Sequence, residues 1–300
     1  MTELQEKIIE LKKEKNALIL AHFYQTTEMR EIADHVCDSF EMARLAFTAK
    51  QKVLLICGVH FMAESAKILN PDKTVILPVL DAGCPMADMI LPEDVVALRE
   101  RYPDAAVVCY VNSSAAVKAV SDICCTSSSA ERIVRSLSEK QIIFIPDRNL
   151  GAYIAKKVPE KEFIYHAGWC PVHDCITTDD VVAAKDSHPN AKLLTHPECR
   201  GDVLELSDFV GSTAEIIEYA LNSGDNEFII GTEIGVVEHL TILAPGKKFY
   251  PLTNTFECED MKKVHLSDVL HSLETGEHEM VLRAEEINTA KRSLERMVAV

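Results

Sequence analysis

The sequence predicts an α/β protein built from three copies of one small parallel-sheet unit, and three observations point there. Short β-rich runs alternate with helical patterns along the chain, as expected for parallel sheets covered by helices. The chain matches itself at a nearly constant offset, which marks internal duplication. At 300 residues it is also too long for one core and fits two to three units of about 100 to 150 residues each.

The predicted strands run over 17–21, 53–57 and 74–77, then 107–111, 142–145 and 162–165, then 192–195, 227–230 and 248–251. Nine strands thus fall into three groups of three. The repeat is read from Ala33-Asp34-His35-Val36-Cys37-Asp38-Ser39, which aligns with Ser121-Asp122-Ile123-Cys124-Cys125-Thr126-Ser127 and with Ser207-Asp208-Phe209-Val210-Gly211-Ser212-Thr213, at offsets of 88 and 86. A second match, Glu93-Asp94-Val95-Val96 with Asp179-Asp180-Val181-Val182, repeats the offset of 86. These matches divide the chain into a first unit at 1–87, a second at 88–173, and a third at 174–300 that carries extra C-terminal helices.

Composition narrows the function. Lys+Arg number 31 against 47 Asp+Glu, a formal charge of −16 that opposes broad attachment to nucleic acid or an acidic membrane face. An anionic small molecule can still be held by local donors. The start, Met-Thr-Glu-Leu-Gln-Glu-Lys, has no apolar signal core, and no run approaches the roughly 18 apolar residues of a membrane span. A soluble cytoplasmic protein is expected. In that setting its ten cysteines are read as thiols or metal ligands rather than a disulfide framework. Cys57 and Cys109 sit inside apolar runs and are expected in the core.

The repeat register makes chemistry-bearing residues equivalent. His22, Tyr110 and His196 share one position, and Tyr24, Asn112 and Glu198 share another two residues on. In extended chain an i, i+2 pair lies on one face. Each unit therefore presents two polar groups beyond the carboxyl end of a strand, where open α/β sheets bind ligands. Ser39, Ser127 and Thr213 form a third set before a helical pattern. A hydroxyl there is ordinarily an N-cap, although the same helix start can hold a carboxylate or phosphate.

One cysteine recurs in every unit: Cys84, Cys170 and Cys258, separated by 86 and 88. If the units surround an axis, three thiolates meet. Structural zinc ordinarily takes four protein ligands and catalytic zinc three, with histidine prominent. Three thiolates suit a 4Fe-4S cluster better, leaving one iron without a protein ligand and able to act as a Lewis acid. The plainer alternative is three packing cysteines kept by duplication. It accounts for recurrence but not for their Gly/Pro-rich strand exits.

Several motifs carry a resemblance: Ala21-His22-Phe23-Tyr24-Gln25, Gly58-Val59-His60-Phe61-Met62-Ala63-Glu64, Tyr110-Val111-Asn112-Ser113, Pro146-Asp147-Arg148-Asn149-Leu150, Cys170-Pro171-Val172-His173, His196-Pro197-Glu198-Cys199, Gly211-Ser212-Thr213 and Cys258-Glu259-Asp260-Met261. Along essentially its whole length the chain resembles the quinolinate synthase family, the A protein of de novo NAD biosynthesis. The resemblance implies three α/β/α sandwich domains related by a pseudo-threefold axis, with a 4Fe-4S cluster at the central junction held by one cysteine from each. It implies a transferase that condenses iminoaspartate with dihydroxyacetone phosphate to quinolinate, with loss of phosphate and water, while the open iron coordinates substrate oxygen and nitrogen. It implies Glu198 as general base, Tyr24, Tyr110 and His173 as proton partners, and Asn112 as a positioning group. His22, His196, Ser39, Ser127, Ser212 and Thr213 would grip carboxylates or phosphate. Beyond the substrates, transient contact with the enzyme supplying iminoaspartate is the partner it implies.

Other residues read as ordinary. His35, His188, His239, His265, His271 and His278 have no repeat partner of matching chemistry and are expected at the surface, and His60 is set aside. Cys37 and Cys175 are not expected as ligands. Cys124, Cys125 and Cys199 lie near site positions without a role of their own. Trp169, the only tryptophan, precedes Cys170 and is expected to shield the cluster. Two other readings stay open: a non-catalytic iron-sulfur redox or iron sensor, and a metal-free scaffold.

Overall fold

Each predicted apolar run forms a strand in the computed structural model, which describes residues 1–300. The first sheet holds β1 (Ala17–His22), β2 (His35–Cys37), β3 (Val53–Cys57) and β4 (Thr74–Ile76). The second holds β5 (Ala106–Tyr110), β6 (Ile123–Cys125), β7 (Gln141–Ile145) and β8 (Glu162–Tyr165). The third holds β9 (Lys192–Thr195), β10 (Phe209–Val210), β11 (Glu227–Gly231) and β12 (Lys248–Pro251). All pairings are parallel, and the orders are β2-β1-β3-β4, β6-β5-β7-β8 and β10-β9-β11-β12. The architecture is three α/β units with one topology.

The expected count of three strands per sheet is corrected to four. The missing member is the same edge strand each time, β2, β6 or β10, of three residues or fewer. Strands that short carry no readable alternation. They fall inside the very segment that revealed the repeat, and the structure explains its shared aspartate. Asp34, Asp122 and Asp208 each accept a hydrogen bond through Oδ2 from a first-strand amide, those of Ile19, Val107 and Leu193, at 2.8 Å in all three cases. The aspartate amide returns a bond to the same residue's carbonyl. The carboxylate thus locks the edge strand's approach to its neighbour.

The central strands are buried on both faces, as β1 and β5 show along their whole length. One apolar core runs through all three sheets, from Leu20 and Ile56 through Val108 and Phe144 to Leu194 and Ile230. Cys57 and Cys109 are fully buried in the sheets, as expected of packing thiols. The C-terminal helices turn back: Leu266–Thr275 packs on the first helix, Glu3–Glu14, and Ala284–Val298 packs on β6 and on helices His60–Leu69 and Ala115–Ala119. They brace the first two sheets rather than extending the third. No helix is long and apolar enough to cross a membrane. His35, His265 and His271 are exposed, but His188, His239 and His278 are half-buried. His188 stacks on Tyr250 at 3.5 Å and His239 tilts against Phe23 at 5.3 Å, so aromatic packing covers rings that the sequence reading left at the surface.

Candidate active site

In every sheet the chain leaves the first strand to one side and the third to the other, which creates a switch point between their carboxyl ends. Residues leaving these points in all three sheets line one cavity of about 340 Å³. It gathers His22, Tyr24 and Ser39 from the first unit, Tyr110, Asn112 and Ser127 from the second, and His196, Glu198 and Thr213 from the third. Cys84, Cys170, Cys258 and His173 line it as well. Ser212 is the one expected site residue that does not. Its hydroxyl accepts from the Glu215 amide at 3.3 Å and caps helix Thr213–Asn222.

That cap explains its neighbour. Asp38 likewise caps helix Ser39–Thr48, accepting from the Glu41 amide at 2.9 Å. Ser39 and Thr213 are therefore first helical residues rather than caps, which leaves the Ser39 hydroxyl for the cavity and Thr213 Oγ1 for the Tyr24 hydroxyl 3.0 Å away. Sequence reasoning missed Asp38, which also lines the wall.

Two histidines are oriented by one backbone device. His22 Nδ1 accepts from the Tyr24 amide at 3.2 Å, and His196 Nδ1 accepts from the Glu198 amide at 3.3 Å. An accepting Nδ1 puts the ring proton on Nε2, which then serves as a donor. For His196 that nitrogen sits 3.3 Å from Ser127 Oγ. Burial, reinforced by the charge of His196, lowers His22 to about 3, and burial outweighs Glu198 to lower His196 to about 4. Both rings are neutral donors near pH 7.

Glu198 is buried, with Oε2 2.9 Å from His173 Nδ1 and 3.5 Å from His196 Nδ1. Burial alone would raise its carboxyl, but His196 and His173 together with hydrogen bonding outweigh it and bring it down to about 2. Its other oxygen, Oε1, is buried without a partner. An ionised carboxylate with a free oxygen is poised to accept a proton. Tyr24 and Tyr110 behave oppositely: burial first, then the charge of Glu198, pushes both phenols well above their ordinary value, so both keep their protons. The Asn112 side-chain oxygen is also buried and unpartnered.

The three repeat cysteines share one local geometry. Cys170 and Cys258 open the one-turn helices Pro171–Asp174 and Glu259–Lys262, and the Cys84 carbonyl accepts from the Ala87 amide at 2.8 Å at the start of a 3-10 turn. Nearby amides, those of Ala87 and Met86 for Cys84, His173 for Cys170, and Met261 and Asp260 for Cys258, favour each thiolate. Burial nevertheless raises the free thiols, Cys84 to about 12, Cys258 to about 11 and Cys170 well above the ordinary value. Bare, they hold their protons; as metal ligands they bind as thiolates.

Whether these donors fit a metal group depends on spacing. The one trio of donors within 4.8 Å of one another is Cys170, His173 and Glu198. Both nitrogens of His173 are engaged, however, Nδ1 with Glu198 and Nε2 with Thr232 Oγ1 at 3.0 Å. The three repeat thiols do not meet that spacing among themselves, so as placed they do not surround a single shared ion. Cys175 lines the cavity too, but it is exposed and donates to the Val172 carbonyl at 3.3 Å. Trp169 lies outside the lining and carries the Arg148 guanidinium 4.6 Å over its ring.

Three duplicated α/β units converge on a cavity lined by thiols, imidazoles and carboxylates, the donor set of an enzyme site for a small molecule that could also hold a metal group. The profile of the family described as quinolinate synthetase A protein (NadA) matches residues 6–299. The quinolinate synthase of Caldicellulosiruptor bescii is 51% identical over 98% of this chain and 97% of its own length. Those of Methanoregula boonei and Clostridioides difficile are 50% and 48% identical, over 99% and 97% of this chain and 98% and 96% of their own. The chain belongs to the quinolinate synthase family, whose enzymes serve NAD biosynthesis.

Proposed function

We propose that this chain is a quinolinate synthase, a cytoplasmic transferase that condenses iminoaspartate with dihydroxyacetone phosphate to quinolinate, with loss of phosphate and water. The observation that carries the reading is one thiol from each unit on the cavity that also holds the only ionised carboxylate, Glu198, among the equivalent positions Tyr24, Asn112 and Glu198. Cys84, Cys170 and Cys258 would hold a 4Fe-4S cluster. When bound, that group supplies a Lewis-acidic iron beside the substrate.

The protein's own groups do the rest. The Nε2–H of His22 and of His196, with the hydroxyls of Ser39 and Ser127, bind carboxylate or phosphate oxygens, and Thr213 Oγ1 orients the Tyr24 hydroxyl 3.0 Å away. Asn112 positions the substrate through its free side-chain oxygen. Glu198 takes a proton at Oε1, Tyr110, which retains its own, returns a proton to a departing oxygen, and Tyr24 stays protonated beside them. His173, which lines the same cavity, holds Glu198 in place through Nδ1. Ser212 supports the site as the cap beneath Thr213. The units at 1–87, 88–173 and 174–300 each contribute one wall, and iminoaspartate arrives from a separate enzyme by transient contact or diffusion.

Anaerobically reconstituted protein supplied with both substrates is expected to form quinolinate and one phosphate per product, measured by chromatography and phosphate assay. A cluster-bearing protein that forms neither would instead be an iron or redox sensor.

A further inference from the structure

Thr232 lies just past the end of β11, fully buried, and nothing in the duplicated motifs marks it. Its hydroxyl stands between two groups of the site, 3.0 Å from His173 Nε2 and 2.9 Å from the Tyr24 hydroxyl. Tyr24 in turn lies 3.0 Å from Thr213 Oγ1.

The chemistry fixes which way these bonds run. A carboxylate can only accept, so the 2.9 Å contact between Glu198 Oε2 and His173 Nδ1, a nitrogen that also lies 3.2 Å from Cys170 Sγ, requires the histidine proton on Nδ1. In the neutral ring Nε2 must then accept, and Thr232 is the donor to it. Having given its one proton to His173, the Thr232 oxygen accepts from Tyr24, and Tyr24 accepts from Thr213. The donors all point toward Glu198. The repeat register agrees that this is a special device: the equivalent positions, at offsets of 88 and 86, are Gly58 and Pro146, which offer no side-chain donor.

We infer that Thr232 is a positioning residue of the proposed reaction, holding His173 in the Nδ1–H tautomer and aligning the Tyr24 hydroxyl. The inference rests on the proposed function for its kinetic consequence but not for its tautomer. Thr232→Val keeps the shape and removes the hydroxyl; Thr232→Ser keeps the hydroxyl. In the reconstituted enzyme Thr232→Val is expected to lower kcat about 10- to 100-fold, the scale for misaligned groups. KM for either substrate should stay within about threefold, and Thr232→Ser should recover most of kcat. Nitrogen NMR of histidine-labelled protein, with His173→Gln to assign the signal, should show His173 protonated on Nδ1.

A Thr232→Val enzyme with kcat within about threefold of the unaltered protein overturns the inference, as does a Thr232→Ser enzyme equally impaired. If Thr232→Val does not fold, the NMR signal decides, and a proton on Nε2 overturns it. Absence of quinolinate formation by the unaltered protein is a failure of the proposed function, and the tautomer measurement still stands apart from it.

Discussion

The first and third units place the same histidine on the same backbone device, yet the residue two positions on differs: Tyr24 in one, Glu198 in the other. His22 and His196 both accept from the amide of that residue, both are buried, and both are held neutral. Tyr24 keeps its proton and Glu198 has lost one. Duplication therefore supplies the scaffold and the neutral imidazole donors, and a single side-chain difference supplies the ionised carboxylate. The second unit carries the asymmetry further, with Tyr110 in the histidine's place and Asn112 in the base's.

What the units share can be broken in any of them with like effect, and the cysteines should show this most strongly. Alanine at Cys84, Cys170 or Cys258 is expected to abolish the brown absorbance near roughly 400 nm after anaerobic reconstitution, and all turnover with it. Cys57→Ala and Cys109→Ala, which remove buried packing thiols, should retain both. A full cluster in Cys170→Ala would contradict the shared role.

Acid should separate histidine from carboxylate. Because folding depresses His22 and His196 below their ordinary 6.5, the unfolded chain takes up protons first. Their stabilising contribution is complete above that value and is lost as the pH falls toward about 4 and then about 3. Glu198, depressed below 4.5, adds a loss of the same sign only at lower pH. Urea midpoints measured from pH 7.5 to 5 should fall, and His22→Gln should flatten the fall. An unchanged slope in that variant would place the acid sensitivity elsewhere.

The smallest effect belongs to the aspartates of the edge strands. Asn at Asp34, Asp122 or Asp208 removes a charged acceptor from an amide held at 2.8 Å, and each should lose about 1.5 kcal/mol of stability. Activity at moderate temperature should persist. A marked difference in stability loss among the three would show that the repeat is less equivalent than its hydrogen bonds.

Much of this arrangement was legible in the chain because duplication prints each important position three times. The offset of 86 to 88 brought Cys84, Cys170 and Cys258 into one set, and the structure puts all three on one cavity. The edge strands escaped because three residues carry no period, although their aspartates were in view. Ser212 and Thr213 stood side by side in the sequence, and only the helix start decides which hydroxyl caps and which faces the cavity. Thr232 escaped for the opposite reason from the cysteines: its equivalents, Gly58 and Pro146, have no donor to compare. A search for positions where one copy alone gains a polar group would have found it, as a search for a carboxylate carried by one copy alone finds Glu198.

That carboxylate carries the central claim, and Glu198→Gln tests it most directly because the amide keeps the shape and removes the base. In anaerobic assays with iminoaspartate and dihydroxyacetone phosphate, turnover should fall by about 10² to 10⁴. Cluster absorbance and quinolinate affinity should be unchanged. Near-normal turnover would contradict the account and move the base to Tyr24 or His173, and loss of the cluster or of folding would make Glu198 a structural residue instead.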